Sequence, residues 1–229
     1  KVGYIMKIAH IDYQFIIELN ENDKFLLIVE NPKAFRNIIC DTNIESGESP
    51  IIFSENSNII DIGEIECIID IFNLSLNNRK ALNKLYDFLK KEISSTELLL
   101  QNNEIYNIMC AYANSLQNIV DFNLDWINDF DILSLLKFIN IKFKDDNFDT
   151  LERIIDYIKI HSEFVKTKCF VFVNLLSYLT EYEIEKLYEF CHYEKIFIIL
   201  IEDKQPENIN IFSQVYLIDK DYCEVSLKK

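Results

Sequence analysis

Four aspartates, Asp121, Asp125, Asp129 and Asp131, fall within eleven consecutive residues. Carboxylates four apart on a helix lie on one side of it. Asp121, Asp125 and Asp129 would then converge and offer hard oxygens to calcium, which accepts several oxygen ligands in loose geometry. The spacing is not that of an EF-hand loop. Asp129 also stands where it would cap a helix starting at Phe130, and Asp121 and Asp125 would serve equally as solvated charges. Basic residues bracket this stretch. Arg79, Lys80, Lys84, Lys90 and Lys91 precede it, no Lys or Arg occurs from Glu92 to Leu136, and Lys137, Lys142 and Lys144 follow. Solvated helix faces account for such a pattern, and so does a surface built to meet phosphates.

Other chemistries find less support. The stretch Phe25-Leu26-Leu27-Ile28-Val29 followed by Glu30-Asn31-Pro32 reads as a buried strand feeding a helix, where a nucleotide-binding α/β protein carries its phosphate loop. A phosphate loop needs glycines and a Lys-Ser/Thr pair. This turn supplies a carboxylate, which repels phosphate, and a proline, which removes a donor. A second apolar run, Cys169 to Val173, ends in Asn174, where a nucleotide hydrolase would place an acid to reach magnesium. Nucleotide hydrolysis is therefore not expected. His10, His161 and His192 are too dispersed for a zinc motif, and no GxSxG elbow marks a nucleophile.

Composition narrows the class further. With 229 residues, 49% of them hydrophobic, the chain can bury a substantial core. Its three glycines (Gly3, Gly47, Gly63) are scattered, which excludes every glycine-rich phosphate motif. Six cysteines occur without a CxxC pair and several sit in apolar runs, the usage of a reduced, cytoplasmic protein. No apolar run is long enough to span a membrane, and no secretory signal is recognised, so no membrane partner is expected. A net charge of -15 argues against nucleic acid when taken whole. Its distribution qualifies the objection: Lys and Arg against Asp and Glu number 5 and 13 over residues 1–76, 8 and 10 over 77–148, and 10 and 15 over 149–229.

Periodicity indicates the helices and strands that would carry these residues. Residues 7–18 suggest a hairpin arm and 25–29 the first buried strand, with Pro32 in the first turn of a helix over 33–41. Short strands are expected at 51–53, 58–62 and 66–72. From Asn77 the spacing turns helical, with Leu82, Leu85, Tyr86 and Leu89 at i, i+3, i+4 and i+7. Further helices are expected over 98–119, 130–139 and 150–165. The strands at 169–174 and 196–201 bracket a helix opened by the capping box Thr180 and Glu183, a βαβ unit with a parallel sheet. An antiparallel edge pair, 215–218 and 222–225, closes the chain. The expected fold is α/β: a head with a parallel sheet core, residues 1–76 and 146–229, interrupted by an all-helical leg, 77–145.

Four segments, FLLIVENPKAFRNII, IIDIFNLSLNNRKALNKLYDFL, FVFVNLLSYLTEYEIEKLYEF with IFIILIED, and YLIDKDYCEV, together resemble the short form of the Csn family, the ring-forming adaptation protein of type II-A CRISPR systems. The resemblance implies a head related to P-loop ATPases without working nucleotide motifs. It also implies a homotetrameric ring with a basic channel, ordered by calcium, that binds linear double-stranded DNA by its ends during spacer acquisition. CRISPR integration and effector proteins are the implied partners, and no catalytic activity is implied. The family's calcium-binding segment falls on residues 123–129, with Asn123 and Asn128 where acids would be expected. Lys137, Lys142 and Lys144 are the expected channel lining, with Arg79, Lys80 and Lys84 next. A degenerate P-loop-like scaffold for protein partners, without DNA binding, is the alternative.

Overall fold

A computed structural model describes residues 5–44, 49–93, 98–126, 131–146 and 149–228. The chain opens with β1 (Ile5–His10) and β2 (Ile16–Asn20), then β3 (Phe25–Val29) and α1 (Pro32–Thr42). Next come β4 (Ile51–Glu55), β5 (Asn58–Ile59) and β6 (Ile65–Ile68). Four helices follow: α2 (Arg79–Ile93), α3 (Leu98–Gln117), α4 (Ile132–Phe138) and α5 (Thr150–Ile160). The chain then forms β7 (Cys169–Val173), α6 (Glu181–Tyr193), β8 (Phe197–Glu202), β9 (Gln214–Ile218) and β10 (Glu224–Lys228).

Two sheets result. A small antiparallel sheet has the order β2-β1-β4-β5, and a larger one the order β10-β9-β3-β8-β7-β6. In the larger sheet every pairing is parallel except β10 with β9. The chain is thus an α/β protein with a parallel core. Strands β3, β7 and β8 are apolar almost throughout because both of their faces are covered. Alternate residues Phe25, Leu27 and Val29 join Met6, Ile8, Ile17, Leu19 and Phe53 of the small sheet in one core. Leu26 and Ile28 point the other way, the side covered by α5 and α6, whose Ile154, Ile158 and Leu187 are fully buried. Tyr188 of α6 donates from its hydroxyl to the Phe25 carbonyl at 2.8 Å, tying helix to central strand.

Local chemistry sets the element ends. Asn31 accepts the Lys33 and Ala34 N–H groups at 3.0 and 3.1 Å, and Pro32 occupies the first turn of α1. The capping box at Thr180 and Glu183 is formed. Strand β6 stops at Ile68, short of the expected 72, because Asp70 accepts the Phe72 N–H at 3.0 Å and turns Ile71–Asn73 into a 3-10 helix. Regular α-helix likewise ends at Ile160. Residues His161–Val165 form a π-helical turn that closes on Lys166 in the left-handed region, φ 69°.

The chain divides into two compact units, Lys1–Ser75 with Asp146–Lys229, and Leu76–Asp145. The second has its own small core: Tyr86, Ile93 and Leu136, with Leu82, Leu89, Leu133 and Ile141 packed against them. Among the described residues no helix is long and apolar enough to cross a membrane.

Candidate functional site

Helix α2 starts where the Asn78 side chain accepts the Ala81 N–H at 2.9 Å. Its neighbour Asn77 is turned to another use. The Asn77 amide donates to the Phe143 carbonyl at 3.0 Å and accepts the Phe143 N–H at 2.8 Å, pairing with that backbone as a strand would. Nine residues further on, the Tyr86 hydroxyl donates to the Ile141 carbonyl at 3.0 Å. These bonds lay residues 141–143 along the first turns of α2. Lys142 and Lys144 flank Phe143, so they come to the end of the unit where Arg79 and Lys80 begin the helix, and all four are exposed. Lys84 follows Lys80 one turn on, and Lys137 lies exposed in the last turn of α4. No acidic residue occupies the first turn of α2, so the positive end of its dipole adds to the same field.

The aspartates are placed differently from expectation. Asp121 and Asp125 are exposed and lie after α3, off any helix, so the i, i+4 argument does not apply to them. Gln117 shapes their segment: its amide donates to the Phe122 carbonyl and its oxygen accepts the Leu124 N–H, both at 2.7 Å. Asp129 lies outside the described residues. Helix α4 begins at Ile132 instead of Phe130. Its cap is Asp131, which accepts Leu133 N–H, Ser134 N–H and, at 2.7 Å, the Ser134 hydroxyl. That hydroxyl is the main cause holding the Asp131 carboxyl below its ordinary pKa. Carboxylate oxygens suit calcium, which takes six to eight ligands. Among the described residues, however, no three acidic, histidine or cysteine side chains stand close enough to hold a metal, so this set alone does not complete a site.

Helix α3 carries a further signal. Among the described residues it contributes no side chain to the small core of its unit, and of its own residues only Asn102 is buried. Leu100, Ile108 and Tyr112 are 69%, 68% and 66% exposed. A helix apolar on several sides is a helix meant to be covered.

At the carboxyl end of the large sheet the missing nucleotide parts have structural substitutes. The Glu30 N–H donates to the Ile218 carbonyl at 2.8 Å and the Asn31 amide to the Lys220 carbonyl at 2.9 Å, so this turn is a joint to β9. Asn174 takes the left-handed conformation, φ 55° and ψ 32°, and its side-chain oxygen accepts the Asp203 N–H. The three histidines are separate: His10 meets Asp41 at 3.2 Å, His161 stacks on Tyr157 at 4.0 Å, and His192 faces the Glu21 carbonyl. Two residues were not foreseen. Nothing in the local pattern marks Asn77. Glu202 is marked only by an apolar run ending in an acid, yet it is 3% exposed, accepts the Leu176 N–H at 2.9 Å, and is pushed by burial up to about 7.

A profile of the CRISPR-associated protein (Cas_Csn2) family matches residues 44–222. A CRISPR-associated protein Csn2 of Streptococcus agalactiae is 26% identical over 179 residues, 75% of this chain and 76% of the relative. One of Enterococcus faecalis is 18% identical over 203 residues, 86% of this chain and 88% of the relative. Among solved structures, an ATP-binding cassette of an ABC transporter in its ADP conformation matches with a TM-score of 0.46 and 12% identity, over 99% of this chain and 91% of that one. The cbiO1 component of the Clostridium perfringens cbiONQ transporter matches at 0.48 and 11%, over 95% and 86%.

Proposed function

Because the chain belongs to the Cas_Csn2 family of CRISPR-associated proteins, with a role in the CRISPR system, we propose that it is a non-enzymatic binder of linear double-stranded DNA that works as a homotetrameric ring in spacer acquisition. The observation that carries this reading is the Asn77–Phe143 pairing. It joins the two basic stretches of the sequence, Arg79, Lys80 and Lys84 with Lys142 and Lys144, at one end of the helical unit. Five cations from one acidic chain hold a duplex weakly. The same five from four copies around a channel hold it well, because each phosphate neutralised releases counterions. Contacts to phosphates carry no sequence information, so binding is sequence-independent.

The ring reading draws on α3. Its exposed leucines, isoleucines and tyrosine call for an apolar partner surface, and a second copy supplies the same surface in self-complementary form. Calcium belongs to the proposal through Asp121 and Asp125. They offer hard oxygens but less than a whole shell, so the remaining ligands would come from a second copy and from water.

Mobility shifts on linear and covalently closed circular duplexes of one sequence, with calcium and with chelator, test the function. Retention of linear DNA only, lost with chelator, is the expected result. Equal binding to both forms, or to neither, overturns it. Mass by light scattering tests the assembly, for which a calcium-insensitive monomer is the opposing outcome.

A further inference from the structure

At the carboxyl end of β8 the head carries an open cleft of about 250 Å³. Part of its wall is aliphatic, with Leu176 and Leu179 from the turns after β7, Ile184 from α6 and Ile211 from the 3-10 turn before β9, and Ser177 and Asn208 line it as well. The deep positions are Leu179, Ile184 and Glu202, 6%, 1% and 3% exposed. The mouth is acidic, with Glu181 and Glu207 exposed on it beside a single Lys204. In sheets of this kind the crevice outside the carboxyl ends of the parallel strands is where small ligands sit.

A buried carboxylate among aliphatic walls is costly unless it is paired. Glu202 has structural duties, accepting the Leu176 N–H at 2.9 Å and a backbone bond at Leu175, and a neutral amide oxygen would accept from these donors as well. The charge itself is not explained by the tether. We propose that this cleft binds a terminal ammonium group carried on an aliphatic stem, with Glu202 as the counter-ion. The stem lies against Leu176, Leu179, Ile184 and Ile211, and Glu181 and Glu207 draw the cation to the mouth. A lysine side chain of a protein and a free alkyl diamine share this chemistry.

Protonation sets the pH dependence of the site. Burial is the chief cause raising Glu202; the Leu176 N–H lowers it, the Asp203 charge raises it, and the Leu175 N–H and the Lys204 charge lower it. Tyr188 of α6 also faces it, and Glu181 and Glu207 stand at the mouth. With its midpoint pushed up to about 7, Glu202 is largely protonated below that pH and must lose its proton to receive a cation. An alkylammonium keeps its charge throughout this range, so binding strengthens as pH rises and releases a proton from the protein. This proposal stands on the head alone and does not depend on the DNA reading.

Calorimetric titration of the full chain at about pH 6 and about pH 8 tests it, with 1,5-diaminopentane and an end-blocked peptide containing one lysine as probes. Saturable binding is expected at the higher pH, weakened about tenfold at the lower and about tenfold or more in Glu202→Gln, with 1-pentanol silent. Binding of the diamine alone assigns the site to free amines, and binding of the peptide alone assigns it to a lysine side chain. Failure of both probes overturns the proposal. So does equal affinity in wild type and Glu202→Gln, or an affinity unchanged between the two pH values. Should Glu202→Gln not fold, the pH comparison on the wild type decides alone.

Discussion

Single side chains in this protein decide between chemistry and joinery, and the decision is made by what they touch. Asn31 and Pro32 are legible in the sequence because capping and proline geometry are local, acting within three residues. Glu202 is not legible, because its property is burial, which depends on α6 and on the loop before β9 closing over it. Its ionisation has a measurable consequence for stability. The folded protein holds the proton up to about 7, whereas an unfolded glutamate releases it near 4.5. Folded Glu202 therefore binds more protons between those values, and stability falls as pH rises through this window. A shift of this size corresponds to about 3 kcal/mol. Glu202→Gln keeps the acceptor for Leu176 and has no proton to lose. Urea unfolding of both proteins at about pH 5 and about pH 8 should show the variant gaining on the wild type by roughly 2–3 kcal/mol at the higher pH. A constant difference would mean that folded Glu202 is already ionised by about pH 5, as an unfolded glutamate is.

Elements were readable where periodicity ran long and obscure where a side chain reached across. The helical spacing of Leu82, Leu85, Tyr86 and Leu89 and the apolar runs of β7 and β8 marked α2 and the βαβ unit, since each pattern reports its own burial. Helix α4 starts two residues later than its periodicity suggests because the sequence offers two aspartates for one cap, and the Ser134 hydroxyl beside Asp131 marks the one that serves. Strand β6 is shorter than its apolar run because Ile71 and Phe72 are as apolar as a strand while forming a 3-10 turn. The pairing of Asn77 with Phe143 spans 66 residues and leaves no local trace. It also predicts how α2 and the segment after α4 stay together. Asn77→Ala removes both bonds and leaves two backbone groups of Phe143 seeking water, at a cost of about 1–3 kcal/mol. Asn77→Asp keeps the acceptor and loses only the donor. Hydrogen exchange at the Phe143 amide should therefore be fast in the alanine variant and remain slow in the aspartate one. Equal protection in all three proteins would show that other contacts hold this segment.

For the molecule as a whole, the question is how a chain of net charge -15 meets a polyanion. Its acidity is unevenly spread, with 13 acids against 5 bases in residues 1–76, and 10 against 8 in residues 77–148. The helical unit is therefore the part in which a positive surface can be assembled, and Asn77 assembles one from both of its ends. If the proposed ring repeats that surface around a channel, α3 must be covered in the assembly. Ile108→Glu with Tyr112→Glu, both on the exposed apolar helix, should lower the mass by at least half without unfolding the head. A ring that survives both charges must be joined elsewhere. The same geometry fixes the salt dependence of binding. Each phosphate contact contributes about 0.9 to the slope of log K against log salt. Lys142→Gln with Lys144→Gln removes up to two contacts per copy, so the slope should become shallower by roughly 1.8 for each copy that touches one duplex. Lys33→Gln, an exposed lysine on α1 of the head, should leave it unchanged. If Lys33→Gln flattens the slope as much as the pair does, the duplex follows the head instead, and the basic end of the helical unit is only a solvated surface.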